Sequence, residues 1–339
     1  MLDLTTSVAG LQLAHPFIAG ASPLGRSLDA IRRLEDGGCS AIVLPSLFEE
    51  QITQATEGRV RHSHVFDSVS PDWMKYFPTE DTYAFSPTEY AEHVRRARAA
   101  VQIPIIASLN GTTAESWLKF ATTLEQAGAH ALELNMYEAV ANTKQQGSLL
   151  EYQLFQIASD LKRLLKIPIV IKLSPFFTSF GNVAARLDLL GVDALVLFNR
   201  FYQWDIDIDQ MTSVVDLRLS SSDELVLRLR WVSALFSRLR ASLVLSGGVA
   251  APEDGIKAIL AGADGVQVVS GVLREGPAYF QRLTDGLSNW MSKHGVSNVG
   301  AIRGRASLKE VSDPAAFERA AYLRTLQTWR TDGHELTTK

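Results

Sequence analysis

Short, almost unbroken apolar runs alternate along this chain with longer stretches in which apolar residues recur every three or four positions. The runs are PFIAGAS (16–22), SAIVLPS (40–46), IPIIASL (103–109), HALELN (130–135), IPIVIKLS (167–174), DALVLFN (193–199), SLVLSGG (242–248) and DGVQVVSG (264–271). Continuous hydrophobicity marks strands covered on both faces, the condition of a parallel sheet, and the intervening amphipathic stretches supply the covering helices. In DGGCSAIV, QAGAHALEL, LLGVDALVL and LAGADGVQV a glycine closes the amphipathic stretch, as expected where a helix stops before the next strand. The repeat is therefore a βα unit. Eight of them predict an α/β protein with a closed (β/α)8 TIM barrel. An open Rossmann sheet is the other arrangement, but it seldom needs eight parallel strands, and no G-x-G-x-x-G follows a strand here.

The segments outside this period fix the remaining organisation. LTTSVAGLQLAHP alternates around Ala-Gly and predicts a hairpin closing the N-terminal end of the barrel. Two connections, 47 to about 86 and 199 to about 222, are unusually long and follow strands, which puts them at the C-terminal mouth where barrel enzymes build lids and specificity. The first carries Trp73, Tyr76, Phe77, Tyr83 and Phe85. In the second, DIDID alternates like a strand with its carboxylates on one face, which reads as a solvated hairpin. Residues 306–339 are polar and predicted helical. We take residues 1–305 as the barrel and 306–339 as a C-terminal extension.

Composition narrows the class of function. With 339 residues, 46% of them hydrophobic, the chain can fill a large core. A net charge of −4 provides no basic surface for a phosphate backbone, so a small molecule rather than nucleic acid is the expected partner. The apolar runs are far shorter than the roughly 20 residues that span a bilayer, so no membrane partner is expected. The single cysteine, Cys39, cannot form an internal disulfide, and the start lacks a basic segment followed by an apolar one; the expected compartment is the cytoplasm.

Candidate chemistry gathers at the ends of the runs. Gly247 and Gly248 end the seventh and Ser270 ends the eighth, each just before a helix. In a barrel these two loops commonly hold phosphate, because free N–H groups and helix N-termini converge there, though a pair of glycines after a strand can also be a plain turn. Lys172 lies inside an apolar strand and must reach either the barrel mouth or a buried partner, with Glu133 the candidate for an ion pair. At the mouth an ammonium can stabilise negative charge on a ring that is being reduced. Asn110, Asn135 and Asn199 end three strands around Lys172, and an amide suits a heterocycle edge bearing both N–H and C=O groups. His62 and His64 stand two apart, but no acid or cysteine at ligand spacing joins them, and no metal is expected.

These segments resemble the dihydroorotate dehydrogenase family of FMN-dependent barrels. HPFIAGAS is similar to the family's first strand, ALELN to its fourth, VIKLSP to its fifth, SGGVAAPEDGIKAILAGADGVQVVSGVLREGP to its phosphate-binding end, and KHGVSNVGAIRG to its closing segment. The resemblance implies an FMN-dependent oxidoreductase acting on a CH–CH bond, in pyrimidine biosynthesis. It places Gly20, Ala21, Ser22 and Ser46 beside the flavin, Asn135 and Lys172 on its ring system, Gly247, Gly248, Val269 and Ser270 on its phosphate, and Asn199 near the substrate; Asn110, at the equivalent strand end, is taken with it as substrate-binding. Barrels of this type often form a homodimer.

The chain also departs from the family pattern. The lysine that precedes the serine after strand two is replaced by Pro45, and the substrate-binding segment that follows is replaced by unrelated sequence. The serine or cysteine base after strand four is missing; Glu138 in NMYEAVANTKQQG occupies its register, with Tyr137 beside it. A carboxylate can act as general base when it is within hydrogen-bond reach and its proton affinity is tuned. Glu138 can equally be a solvated loop residue. Two other functions stay open: a catalytically retired barrel that keeps FMN or another phosphorylated ligand, and a sugar-phosphate aldolase or isomerase with Lys172 as Schiff-base nucleophile.

Overall fold

In the computed structural model, which describes residues 2–52, 84–111, 115–136, 143–200 and 203–328, the apolar runs form a ring of parallel strands. The chain starts with the expected hairpin, β1 (Thr6–Val8) against β2 (Leu11–Leu13). The barrel strands follow: β3 (Phe17–Ala19), β4 (Ile42–Val43) with its continuation β5 (Leu47–Phe48), β6 (Ile105–Asn110), β7 (Ala131–Asn135), β8 (Ile169–Leu173) and β9 (Ala194–Leu197). After an excursion come β12 (Ser242–Ser246) and β13 (Gly265–Val268). Neighbours in the ring are consecutive barrel strands, and β13 returns to β3 with Val266 opposite Phe17 and Val268 opposite Ala19. The eight-strand barrel is thus closed, and no edge is left to pair with another chain.

The second barrel strand carries a defect that its sequence does not announce. Val43 faces Ile106 and Leu47 faces Leu109, so the chain takes four steps where its neighbour takes three. One extra residue in one strand is a β-bulge, and Pro45, which has no N–H to give to the ladder, falls inside it. The run SAIVLPS is therefore a strand only as far as Val43 before the bulge, and pairing resumes at Leu47.

Helices wrap the ring, beginning with α1 (Leu28–Asp36), α2 (Pro87–Ala100) and α3 (Glu115–Gln126). They continue through α4 (Gly147–Leu164), α5 (Phe180–Leu189), α6 (Leu225–Leu235) and α7 (Pro252–Ala261). The sequence S-P-T-E at the start of α2 makes a full capping box: the Ser86 hydroxyl accepts from the Glu89 N–H while the Glu89 carboxylate accepts from the Ser86 N–H. Gly38, Gly128, Gly191 and Gly262 lie at φ between 84° and 122°, the left-handed helix ends expected of the four glycine signatures. Three further helices follow β13: α8 (Ser270–Glu275), α9 (Tyr279–Lys293) and α10 (Pro314–Thr328). None of the residues of α10 is buried; the Arg230 guanidinium on α6 grips its Glu318 carboxylate through two hydrogen bonds of 2.7 and 2.6 Å.

The two ends of the ring differ sharply. At the N-terminal end small apolar side chains, among them Ala41, Val43, Ala131, Val170, Ala194 and Val244, form a dry layer with Val8 and Leu13 of the hairpin. The hairpin turn runs through Ala9 and Gly10 at φ 51° and 78°, and the Ala9 N–H donates to Ser242 Oγ at 3.1 Å, seating the plug on β12. Cys39 is buried near this end, and burial, with Glu35 adding to it, pushes its thiol up to about 12. At the C-terminal end the excursion after β9 contains the second hairpin, β10 (Gln203–Asp207) against β11 (Thr212–Asp216). Its Asp205 and Asp216 carboxylates are tied by Arg218 at 2.8 and 3.2 Å on the exposed surface. No helix of the described residues is long and apolar enough to cross a membrane.

Candidate active site

A cavity of about 520 Å³ opens at the C-terminal ends of the strands. Its described wall includes Ala21, Ser22, Ser46, Asn110, Asn135, Lys172, Asn199, Gly247, Val269 and Ser270, contributed by all eight barrel strands or the loops that follow them. Sequence positions up to about 250 residues apart thus converge on one space. Gly20 and Gly248 belong to the same loops without lining the cavity themselves. Glu138 and Tyr137 lie outside the described residues, as do His62, His64 and the loop aromatics Trp73, Tyr76, Phe77 and Tyr83. Among the described residues no group of histidine, cysteine and acidic side chains could hold a metal ion.

The floor of the cavity is a ring of three buried polar side chains drawn from three strands. Lys172 Nζ on β8 donates to Gln267 Oε1 on β13 at 3.0 Å and lies 3.5 Å from Glu133 Oε1 on β7. The Gln267 amide in turn donates to Glu133 Oε2. Glu133 is fully buried, and Lys172 and Gln267 touch the cavity. A buried ammonium needs a counter-charge, and here the carboxylate behind it supplies one while the amide bridges both. Lys172 therefore reaches both of the destinations that the sequence allowed, the barrel mouth and an ion pair with Glu133.

Beside this floor, the bulge at Pro45 turns Ser46 toward the barrel axis, where its hydroxyl meets Ser108 Oγ at 2.7 Å. Asn135 Nδ2 donates to Ser46 Oγ at 2.9 Å and to Ser108 Oγ at 2.8 Å. Ser108 is held from behind by Tyr90 of α2, whose hydroxyl donates to the Ser108 carbonyl at 3.1 Å and accepts from its N–H at 3.0 Å. Burial drives the Tyr90 phenol far above its usual range, so it serves as a neutral hydrogen-bonding post. With its N–H groups spent on the serines, Asn135 keeps its carbonyl oxygen for a ligand donor.

The third corner lies between the loops after β12 and β13. Gly247 and Gly248 sit at φ 91° and 81°, and a side chain at either has no room: an added Cβ falls 2.9 Å from the Arg228 guanidinium at Gly247, and 2.6 Å from the Leu225 nitrogen at Gly248. The backbone N–H groups of Gly247, Val269, Ser270 and Gly271 find no acceptor among the described residues. Ser220, from the segment before α6, knits the two loops together: its hydroxyl donates to Ser270 Oγ at 3.0 Å and accepts from the Gly248 N–H at 3.2 Å. Unpaired donors in a cradle closed to side chains are what a phosphate group requires. The cations Arg26, Lys172, Arg200 and Arg228 line the cavity, and no carboxylate does among the described residues.

Sequence reasoning missed Ser108, Ser220, Arg228 and Gln267. Gln267, polar inside the apolar run GVQVV, carried a signal, and so did Arg228. The arginine falls between Leu225 and Val232 on the stripe of α6 that faces the barrel, where an apolar residue belongs.

Residues 80–291, more than half of the chain, match the family model described as dihydroorotate dehydrogenase. A putative dihydroorotate dehydrogenase A (fumarate) of Aeropyrum pernix is 26% identical over 312 residues, covering 90% of this chain and 97% of its own length. The catalytic subunit of a dihydroorotate dehydrogenase B (NAD(+)) of Methanothermobacter thermautotrophicus is 24% identical, with 89% of this chain and 98% of the relative covered. A like-named subunit of Pelobacter propionicus reaches 29% identity over 61% of this chain and 69% of its own.

Proposed function

We propose that this chain, which belongs to the dihydroorotate dehydrogenase family, is an oxidoreductase of CH–CH donors in pyrimidine metabolism, with FMN as its cofactor and dihydroorotate or a related dihydropyrimidine as its substrate. The observation that carries the reading is the joining, in one cavity, of a charged lysine floor to a phosphate cradle of glycine loops. The cradle passes the test of fit, because its donors lack acceptors among the described residues and its glycines admit no side chain. When bound, the flavin supplies a two-electron acceptor for hydride.

The chain's own residues then have separable tasks. Gly247, Val269 and Ser270 hold the phosphate through backbone and hydroxyl donors, and Gly248, its N–H taken by Ser220 Oγ, shapes the loop that presents them. Gly20, Ala21, Ser22 and Ser46 close around the ring system. The Lys172 ammonium, steadied by Glu133 and Gln267, offers positive charge where electron density rises on reduction; a preset charge in a dry site costs no reorganisation at the moment of reaction. The Asn135 carbonyl oxygen accepts from a ring N–H, and Asn110 and Asn199 orient the substrate. Glu138 takes the proton that must leave the carbon next to the hydride donor.

Replacement of the family's lysine by Pro45, together with the absent serine or cysteine base, supports one other reading: a barrel that retains FMN without turnover. The cytoplasm and a homodimer belong to the proposal as well, the first supported by the lone buried thiol and the second by the habit of such barrels. Purified protein tests the whole. A yellow preparation that releases FMN and bleaches anaerobically with dihydroorotate or another dihydropyrimidine is expected. Colourless protein that takes up no FMN overturns the reading, and yellow protein that no dihydropyrimidine bleaches favours retirement.

A further inference from the structure

Arg228 poses a charge problem that nothing among the described residues solves. It lies on α6 with its side chain 5% exposed. Its Nε donates to the Ser246 carbonyl and its Nη1 to the Glu224 carbonyl, both at 2.5 Å. Its one carboxylate is Glu224, 3.9 Å from Nη2. That carboxylate is already claimed by Arg200, whose Nη1 lies 2.9 Å from both of its oxygens. Asp254, in the first turn of α7, is committed to the N–H groups of Ala250 and Ala251, the Ser222 hydroxyl and Lys257. The floor does not help, since Lys172 and Glu133 neutralise one another.

Two guanidiniums thus share one carboxylate, leaving a net positive charge in a low-dielectric wall. An uncompensated buried charge is costly unless an opposite charge arrives. Arg228 lines the cavity and lies against Gly247, where an added Cβ would come within 2.9 Å of both Nε and Nη2. Nη2 makes no hydrogen bond among the described residues. Backbone carbonyls occupy Nε and Nη1, and Nη2 keeps its donors spare beside Gly247.

We propose that Arg228 is the counter-ion of a phosphomonoester held by the loops after β12 and β13, reaching it across Gly247. The inference rests on the functional reading above for the identity of that phosphomonoester, the FMN tail. It goes further in assigning the charge, because backbone N–H groups supply direction and dipole but no formal cation. The alternative is that Arg228 merely ties the Ser246 and Glu224 carbonyls together. The two roles make different demands: a counter-ion discriminates between a ligand with phosphate and the same ligand without it, whereas a structural tie does not.

The test is therefore a pair of titrations on full-length protein stripped of flavin, with FMN and with riboflavin, read by quenching of flavin fluorescence. Arg228→Gln keeps a donor for the Ser246 carbonyl and removes the charge. Its expected effect is a loss of at least tenfold in FMN affinity, about 1.4 kcal/mol, with riboflavin affinity changed less than twofold. Arg228→Lys keeps the charge, and is expected to retain most of the preference for FMN. Added salt weakens FMN binding by the wild type more than by Arg228→Gln. Equal losses for both ligands, or no loss for either, overturn the proposal. Should Arg228→Gln fail to fold, a preference for FMN over riboflavin that is the same in Arg228→Lys at low and high salt overturns it too. Wild-type protein that binds neither flavin sinks the FMN reading instead. Inorganic phosphate then replaces FMN, and a thermal shift by phosphate that is equal in wild type and Arg228→Gln sinks this inference separately.

Discussion

The two ends of the barrel are made from the same eight strands yet built on opposite rules. At the closed end, side chains such as Ala131, Val170 and Val244 are small, apolar and fully interchangeable in chemistry, and a hairpin seals them from water. At the open end a few residues further along the same strands stand Asn135, Lys172 and Ser246, each tied to partners on other elements of the barrel. The contrast shows how a parallel barrel separates its duties: one end stabilises the ring, and the other can carry charge and orphaned donors because the first holds the strands in place.

The sharpest way to break that division is Lys172→Met, which should cost both stability and catalysis. It strands the Glu133 carboxylate in the core, and removing one member of a buried pair costs about 3–5 kcal/mol; flavin reduction should slow by about 10²–10³. The double variant Lys172→Met with Glu133→Gln should regain most of the melting temperature and none of the rate, measured by calorimetry and stopped-flow absorbance. A double variant that stays as unstable as the single one would show that the two residues do not act as a pair. Next in size comes Ile18→Ala in the dry layer, expected to lower stability by about 2–5 kcal/mol while leaving FMN affinity unaltered in a denaturation and titration pair; a large affinity loss would erase the division of duties.

Gly248→Ala lies on the boundary. The residue sits at φ 81° with no space for a Cβ, so a penalty of about 1–3 kcal/mol is expected, visible chiefly as faster loss of flavin during desalting. The smallest effect concerns Cys39. With its thiol pushed up to about 12 by burial, iodoacetamide at pH 8 should leave it unmodified in native protein and label it fully in denaturant, as read by mass spectrometry. Rapid native labelling would mean that the closed end opens.

Much of this division was legible along the chain. Continuous apolar runs such as IPIVIKLS and DALVLFN betray strands because burial on both faces leaves no polar alternation, and a lysine within such a run is conspicuous. The wall residues Asn110, Asn135 and Asn199 could be found because every strand of a parallel ring delivers its last residue to the same mouth. The bulge was hidden, since AIVLPSLF reads as one run and only the pairing with β6 reveals the extra residue. Gln267 escaped notice because its partners Lys172 and Glu133 are 95 and 134 positions away in sequence. A polar residue there explains itself only once opposite sides of the ring meet. Ser220 resembled any other member of a polar loop.

That single additional residue near Pro45 gives the second strand two independent phases. Below it, the strand must keep step with its neighbour or the sealed layer loses its pattern. Above it, the count has already been reset, so the stretch that follows can lengthen, shorten or change its side chains without dragging the lower half out of alignment. A seam of this kind lets one enzyme scaffold trade its choice of substrate while its foundation is inherited unchanged.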